Sequence, residues 1–305
     1  IAASAGNHAQ GVAFSGQKLA IDTTIVMPVT TPAIKVAAVK SFGAKVVLFG
    51  DNYSEAADHM QSLMQETKMV FIHPFDDELV IAGQGTIAME LLQQHRDGLD
   101  AVFVPVGGGG LIAGIAAYIK ALRPEIRVIG VEPEDAPCMY EALKRKRRVV
   151  LDQVGIFVDG VAVRQAGKEP YRLARKYVDE VILVSTDEIC AATKDIFDDT
   201  HAMVQPAGAL AVAAIKKYVE QTGAQGQKLV AINSGANINF DRLRHVSERS
   251  EIGERREALL GVTIPEEPGS FRRFCRAIGK RGITEFNYRY ADAARAHVFA
   301  GIKLE

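Results

Sequence analysis

Four consecutive glycines, Gly107, Gly108, Gly109 and Gly110, follow the apolar run Val102-Phe103-Val104-Pro105-Val106 and lead at once into Leu111 and a helical pattern. Glycine leaves the backbone N–H groups bare and lets a ligand approach closely, while the start of a helix adds partial positive charge. A phosphate suits such a turn; a ligand-free strand-to-helix connection would need only two of the glycines. Gly108-x-Gly110-x-x-Ala113 also fits the dinucleotide fingerprint, with Glu132 ending the next expected strand where a ribose-binding acid belongs. That reading, a nicotinamide or flavin oxidoreductase, gives no role to a second loop, Ser4-Ala5-Gly6-Asn7-His8, which opens a helix carrying Val12, Phe14 and Leu19. The bare N–H groups of this second loop suit a carboxylate, with the Asn7 amide available to a polar ring substituent; the alternative is ordinary capping by Ser4 with Asn7 and His8 in solvent. A third loop, Asn233-Ser234-Gly235-Ala236-Asn237, follows another apolar run. Open parallel sheets bind ligands beyond the carboxyl ends of their strands, so the three loops are expected to face one crevice.

The elements that must position these loops alternate in type. Short β-branched runs at 24–27, 44–49, 69–72, 101–106, 127–131, 180–184 and 228–232 alternate with helical stretches, including 53–66, 86–94, 111–122, 187–197 and 207–219. Apolar strands alternating with helices predict parallel sheets covered on both faces. Thr31 before Pro32 reads as a helix cap followed by the first helical position. The charge-dense stretch 247–256 reads as an exposed linker. Beyond it come a strand at 259–264, a helix capped by Ser270 with Phe271, Phe274 and Ile278 on one face, and strands near 285–290 and 297–304. That βαββ order is a ferredoxin-like unit without its last helix and strand.

Composition narrows the function classes. The 305 residues are 48% hydrophobic and 24% charged, with 36 Lys plus Arg against 37 Asp plus Glu and a formal charge of −1. That balance argues against disorder and against wholesale capture by nucleic acid or an acidic membrane. The basic run Lys144-Arg145-Lys146-Arg147-Arg148 is read as a solvated helix end. Cys138, Cys190 and Cys275 are widely separated and show no metal-type spacing, which fits a reducing compartment. The longest apolar stretch, around 107–119, is too short and glycine-rich to span a bilayer. A cytoplasmic location is expected; the chain opens on Ile1 with no signal-peptide pattern, and a lost organellar targeting segment is the other expectation left open.

Taken together, Ser4-Ala5-Gly6-Asn7-His8, the stretch from Gly107 to Leu111 and Ser234-Gly235-Ala236-Asn237 resemble the fold-type-II pyridoxal-phosphate enzymes of the tryptophan-synthase-β-like fold, and within them the biosynthetic threonine dehydratases. Ile72-His73-Pro74-Phe75-Asp76 and Ile81-Ala82-Gly83-Gln84-Gly85-Thr86 extend the likeness, and the tail resembles part of an ACT-like regulatory domain. The resemblance implies an α/β fold of two open, mostly parallel sheets with flanking helices. It divides the chain into a small domain (1–75), a large pyridoxal-phosphate-binding domain (76–248) and a partial α+β ferredoxin-like regulatory domain (249–305). It also implies that Gly107, Gly108, Gly109, Gly110 and Leu111 hold the phosphate of pyridoxal 5′-phosphate. Asn7 meets the 3′-hydroxyl, Ser234 the pyridine nitrogen, and backbone groups of Ser4, Ala5, Gly6, Asn7 and His8 the substrate carboxylate. The reaction implied is dehydration of L-threonine, and more slowly L-serine, to a 2-oxo acid (2-oxobutanoate from threonine) and ammonia, with isoleucine inhibiting, valine opposing it, and a homotetramer. Ala5 stands where related racemases carry a second serine, which favours dehydration over racemisation. The family's Ser-Phe-Lys-x-Arg-Gly stretch is absent from these residues, so the Schiff-base lysine is expected upstream of Ile1, the chain is expected to be N-terminally truncated, and by itself it is expected to be inactive. Cys138 stands where some relatives place a cation-binding acid, so no metal is expected. A non-catalytic amino-acid-binding protein with a sensor tail remains the third class.

Overall fold

The computed structural model describes residues 1–238, 240, 242–290 and 294–304 and divides into two compact units. The first is Ile1–Val184 with Val204–Asn237; the second is Ser185–Met203 with Ile238–Glu305. In the first unit, strands β1 (Ala2–Ala3), β2 (Thr24–Met27) and β3 (Lys45–Leu48) form a parallel sheet in that order, each followed by a helix: α1 (Asn7–Leu19), α2 (Ala33–Ser41) and α3 (Tyr53–Thr67). All four residues of β2 are buried, as in a central strand covered on both faces. Helix α4 (Glu78–Gln94) leads to a second parallel sheet of β4 (Ala101–Pro105), β5 (Arg127–Pro133), β6 (Glu180–Val184) and β7 (Leu229–Ala231). Helix α5 (Gly110–Leu122) follows β4, and α6 (Cys138–Lys144) and α7 (Lys168–Tyr177) separate β5 from β6. After α8 (Thr186–Thr200), which belongs to the second unit, α9 (Pro206–Thr222) returns to β7.

Strand order in the second sheet is β6-β5-β4-β7. The chain steps from β4 outward through β5 to β6, then comes back to place β7 on the other side of β4. The carboxyl ends of β4 and β7 therefore flank the point where the winding reverses, which is where open α/β sheets hold ligands. Phe103, Ile112, Ile115, Ile119 and Ile129 are fully buried around this sheet, each worth about 1.5–3 kcal/mol of apolar transfer. Helices α4 and α5 approach backbone to backbone: a methyl on Gly114 would lie 2.3 Å from the Ile81 carbonyl oxygen.

The second unit contains α8, α10 (Arg242–Gly253) and an antiparallel sheet of β8 (Glu257–Pro265), β9 (Ile283–Tyr290) and β10 (Arg295–Lys303) in the order β8-β10-β9, with α11 (Ser270–Ile278) between β8 and β9. Alternate residues of β10, Ala296, Val298, Ala300 and Ile302, are buried with Phe274 and Ile278 of α11. This is the βαββ unit expected of the tail.

Four local expectations are corrected. Residues 69–72 form no strand; two hydrogen bonds link them to Ile1, at 2.8 and 3.0 Å, too short a ladder for one. The stretch 247–256 is not an exposed linker, since α10 runs through Gly253 with Ser250 buried, and its charges pair with α8: Arg249 with Asp187 at 2.6 Å and Glu254 with Lys194 at 3.1 Å. Pro32, rather than Thr31, occupies the cap position, because the Pro32 carbonyl accepts the first helical N–H groups, from Lys35 and Val36. Ser270 is the first helical residue behind a left-handed Gly269 cap, and its hydroxyl accepts a bond from Arg273 instead of from the backbone.

Candidate functional site

The turn after β4 is a set of unspent donors. Among the described residues, no acceptor takes the N–H of Gly107, Gly108, Gly109, Gly110, Leu111 or Ile112; the first bond of α5 runs from Ala113 N–H to Gly109 O at 3.0 Å. Gly108, Gly109, Gly110 and Ile112 are buried. Orphaned buried N–H groups are rare in folded proteins, and a row of them at a helix start is an anion site. Gly109 holds φ +95°, a left-handed conformation that favours glycine, and a methyl on Gly108 would lie 2.3 Å from the Phe75 ring. These features fit a phosphate group.

Phe75 is delivered by a tightly braced segment. His73 Nδ1 accepts the N–H groups of Phe75 and Asp76 at 3.2 and 2.8 Å. The Asp76 carboxylate accepts from Lys168 and Glu169 at the start of α7, at 2.7 and 2.8 Å, and Asp77 accepts from Leu79 and Val80 at the start of α4. Two adjacent acids thus cap two helices, each favoured by the positive helix end. Burial lowers the pKa of His73, against the opposing pull of Asp76 and Asp77, which keeps Nδ1 available as an acceptor.

On the other side of the turn, Glu132 is fully buried; its two oxygens accept the N–H groups of Met139 and Tyr140, each at 2.8 Å. Burial pushes its carboxyl up to about 7, outweighing these two backbone donors. An acid committed in this way to the first turn of α6 is not free to hold a ribose, which removes the residue that the dinucleotide reading requires. Burial and the adjacent Glu132 raise the Cys138 thiol well above its ordinary range, so it stays protonated and donates to Gly107 O at 3.3 Å.

The loop before α1 carries a second group of donors. The N–H groups of Ala5, Asn7, His8 and Ala9 have no acceptor among the described residues, while Gly6 N–H reaches the Ser4 hydroxyl at 3.2 Å. Gly6 is the residue preceding the helix, and no side chain caps it. The His8 ring is turned aside: Nε2 donates to Ile72 O at 2.9 Å, and burial lowers its pKa, so the ring is neutral. Asn7 is the junction with the third loop. Its Nδ2 donates to Gln205 Oε1 at 3.2 Å and its Oδ1 accepts from Asn237 Nδ2 at 3.0 Å. The same Gln205 oxygen accepts the Asn237 N–H at 3.0 Å, and Gln205 N–H donates to Gly235 O at 3.1 Å. Exposed Ser234 makes a long 3.4 Å bond to Ala207 O.

The structure therefore joins Asn7 to the third loop directly. The glycine turn is linked to this pair through the 3-10 turn Asp159–Val161, since a methyl on Gly107 would meet Val161 at 3.0 Å and one on Gly160 would meet Gln205 at 2.8 Å. Sequence reasoning missed Gln205 and Phe75 as parts of the site. The only local signal for Gln205 was a polar residue directly before a proline that opens a helix, and for Phe75 the acid pair that follows it.

A family model described as pyridoxal-phosphate dependent enzyme matches residues 1–235, and one described as the C-terminal regulatory domain of threonine dehydratase matches residues 248–305. The chain is 55% identical over 307 residues to a biosynthetic L-threonine dehydratase of Burkholderia multivorans, covering 100% of this chain and 61% of that protein. Against the corresponding protein of Pasteurella multocida it is 56% identical over 304 residues, covering 100% of this chain and 59% of that protein. The solved structure of the processed form of threonine deaminase isoform 2 from Solanum lycopersicum matches with a TM-score of 0.81 at 44% identity, over 83% of this chain and 69% of that one. The chain spans about three fifths of the length of the curated relatives it matches, 61% and 59% for these two.

Proposed function

This chain belongs to the pyridoxal-phosphate-dependent enzymes, and we propose that the protein carrying it deaminates L-threonine, and more slowly L-serine, by eliminating water and then hydrolysing the product to a 2-oxo acid and ammonia, the first step of isoleucine biosynthesis. The observation that carries the reading is the row of unspent N–H groups from Gly107 to Ile112, matched by a second group at Ala5, Asn7, His8 and Ala9. When bound, pyridoxal phosphate supplies an electron sink for the bond-breaking at the amino acid's α-carbon. The N–H groups of the first loop would hold its phosphate. Those of the second would hold the substrate carboxylate, with the Asn7 amide, oriented by Gln205 and Asn237, facing the 3′-hydroxyl. Ser234 would face the ring nitrogen. A neutral hydroxyl stabilises positive charge there less than a carboxylate does, which favours early loss of the β-hydroxyl. Ala5 offers no proton donor on the opposite face, which supports elimination over racemisation.

Isoleucine is the expected inhibitor and valine its antagonist, acting through the region 249–305; such control needs an effector that binds one of two states of the protein more tightly than the other. We assign 1–75 and 76–248 to the small and cofactor domains, a homotetramer to the assembly and the cytoplasm to its location. The test is to titrate the full-length protein with pyridoxal 5′-phosphate and separately with NAD, then assay 2-oxobutanoate and ammonia release from threonine. Cofactor binding with turnover is expected. A protein that binds isoleucine yet never releases ammonia would overturn the enzyme reading, and one that takes NAD instead would overturn the cofactor.

A further inference from the structure

Helix α6 touches the tetraglycine turn at two points. Cys138 Sγ–H donates to Gly107 O at 3.3 Å, and a methyl on Gly109 would lie 2.6 Å from Met139 Cε, so adjacent residues of one helical turn meet alternate glycines. The helix is in turn fixed by Glu132, whose carboxylate is fully buried and spent on the N–H groups of Met139 and Tyr140 at 2.8 Å each. The consequence lies in the peptide planes. A peptide is planar and trans here, so the Gly107 carbonyl and the Gly108 N–H point in opposite directions from one rigid unit. Between two glycines such a unit flips easily, because neither side carries a Cβ to resist it. A bond on the Gly107 oxygen therefore sets the direction of the Gly108 N–H. The next plane is locked in the same way, since Gly108 O accepts from Gly167 N–H at 2.9 Å, which sets the Gly109 N–H.

We propose that Cys138, placed by Glu132, is a positioning residue for the phosphate loop: its thiol holds the Gly107–Gly108 peptide so that the Gly108 N–H stays aimed at the coenzyme phosphate. This rests on the reading of 107–112 as the phosphate site. It gives the buried acid at the end of β5 and the cysteine of α6 a shared task.

The test compares pyridoxal 5′-phosphate with pyridoxal, which lacks the phosphate, as ligands of the full-length protein and its variants, with thermal melting run alongside. Cys138→Ala removes the donor and is expected to weaken the phosphate form about three- to tenfold while leaving pyridoxal unchanged, the size of one lost hydrogen bond. Cys138→Ser keeps a donor and stays within about twofold of wild type. Glu132→Gln replaces one acceptor oxygen by a donor and is expected to weaken the phosphate form by about tenfold or more. If Glu132→Gln fails to fold, the two Cys138 variants decide alone. Equal weakening of both ligands by Cys138→Ala, or no weakening of either, overturns the proposal. A wild-type protein that does not prefer the phosphate form overturns the reading of the loop itself, a separate result.

Discussion

The two loops that present bare N–H groups do so in opposite surroundings. At the glycine turn, Gly108, Gly109 and Gly110 are buried, and a methyl on any of the three would come within 3.0 Å of Phe75, Met139 or Pro170. At the loop before α1, residues 4–6 are half-buried, Asn7 is exposed, and a methyl on Gly6 would meet nothing within 4 Å. Packing, with bonds to the Gly107 and Gly108 carbonyls from Cys138 and Gly167, holds the first loop, whereas side-chain hydrogen bonds with Gln205 and Asn237 hold the second. A site that keeps its ligand can be built into the core. A site that exchanges substrate in each turnover needs an open side, and polar contacts give direction without closing it.

Breaking the buried side of this comparison has the largest expected effect. Gly108→Ala drives a methyl into Phe75, an overpacking that typically costs about 1–3 kcal/mol, and a displaced turn should lose most of its affinity for pyridoxal phosphate. Thermal melting and coenzyme titration of the full-length protein measure both. Gln205→Ala should leave the coenzyme bound but remove the acceptor for Asn7 and Asn237, lowering kcat for threonine by up to about a hundredfold through misplacement alone. A parallel loss of coenzyme affinity would show that the two loops are not held independently.

The pH dependence sharpens the contrast, because each loop is braced by a group that titrates in a different sense. Burial raises Glu132 to about 7, so the folded state keeps a proton that the unfolded chain gives up. The stability this contributes is full below the ordinary carboxyl pKa and is lost as pH rises through about 7. His8 is lowered by burial, so the unfolded chain takes up its proton first, and stability falls as pH drops through the ordinary histidine range. Denaturation midpoints between pH 5 and 8 should lose the first slope in Glu132→Gln and the second in a His8→Gln variant. Gly6→Ala is the smallest expected effect: stability should shift by no more than about 0.5 kcal/mol, with any change confined to the KM for threonine.

Periodic and glycine-marked features were readable directly from the residues. The strand at Thr24–Met27, the glycine turn, the Asn7 loop and the βαββ tail announce themselves through runs, spacing and bare backbone, all local properties. The errors lie where partners decide. The run 69–72 has the composition of a strand, but among the described residues its backbone bonds reach only Ile1 and the His8 ring. The charges of 247–256 look solvated until Asp187 and Lys194 are set opposite them. Thr31 and Ser270 have the right type for caps, yet the neighbouring Pro32 and Gly269 take the position.

The amino-acid order alone determined where the chain turns, which turns expose donors, and therefore why anions are expected at residues 107–111 and 4–8, because backbone conformation follows from a few adjacent residues. It also carried the family resemblance. Only the tertiary structure decided which distant groups complete those turns: Phe75 over Gly108, Cys138 on Gly107, Gln205 between Asn7 and Asn237. Those partners are separated by up to 230 positions, and hydrogen bonds and van der Waals contacts act over only a few ångströms, so their pairing exists once the sheets have closed and not before.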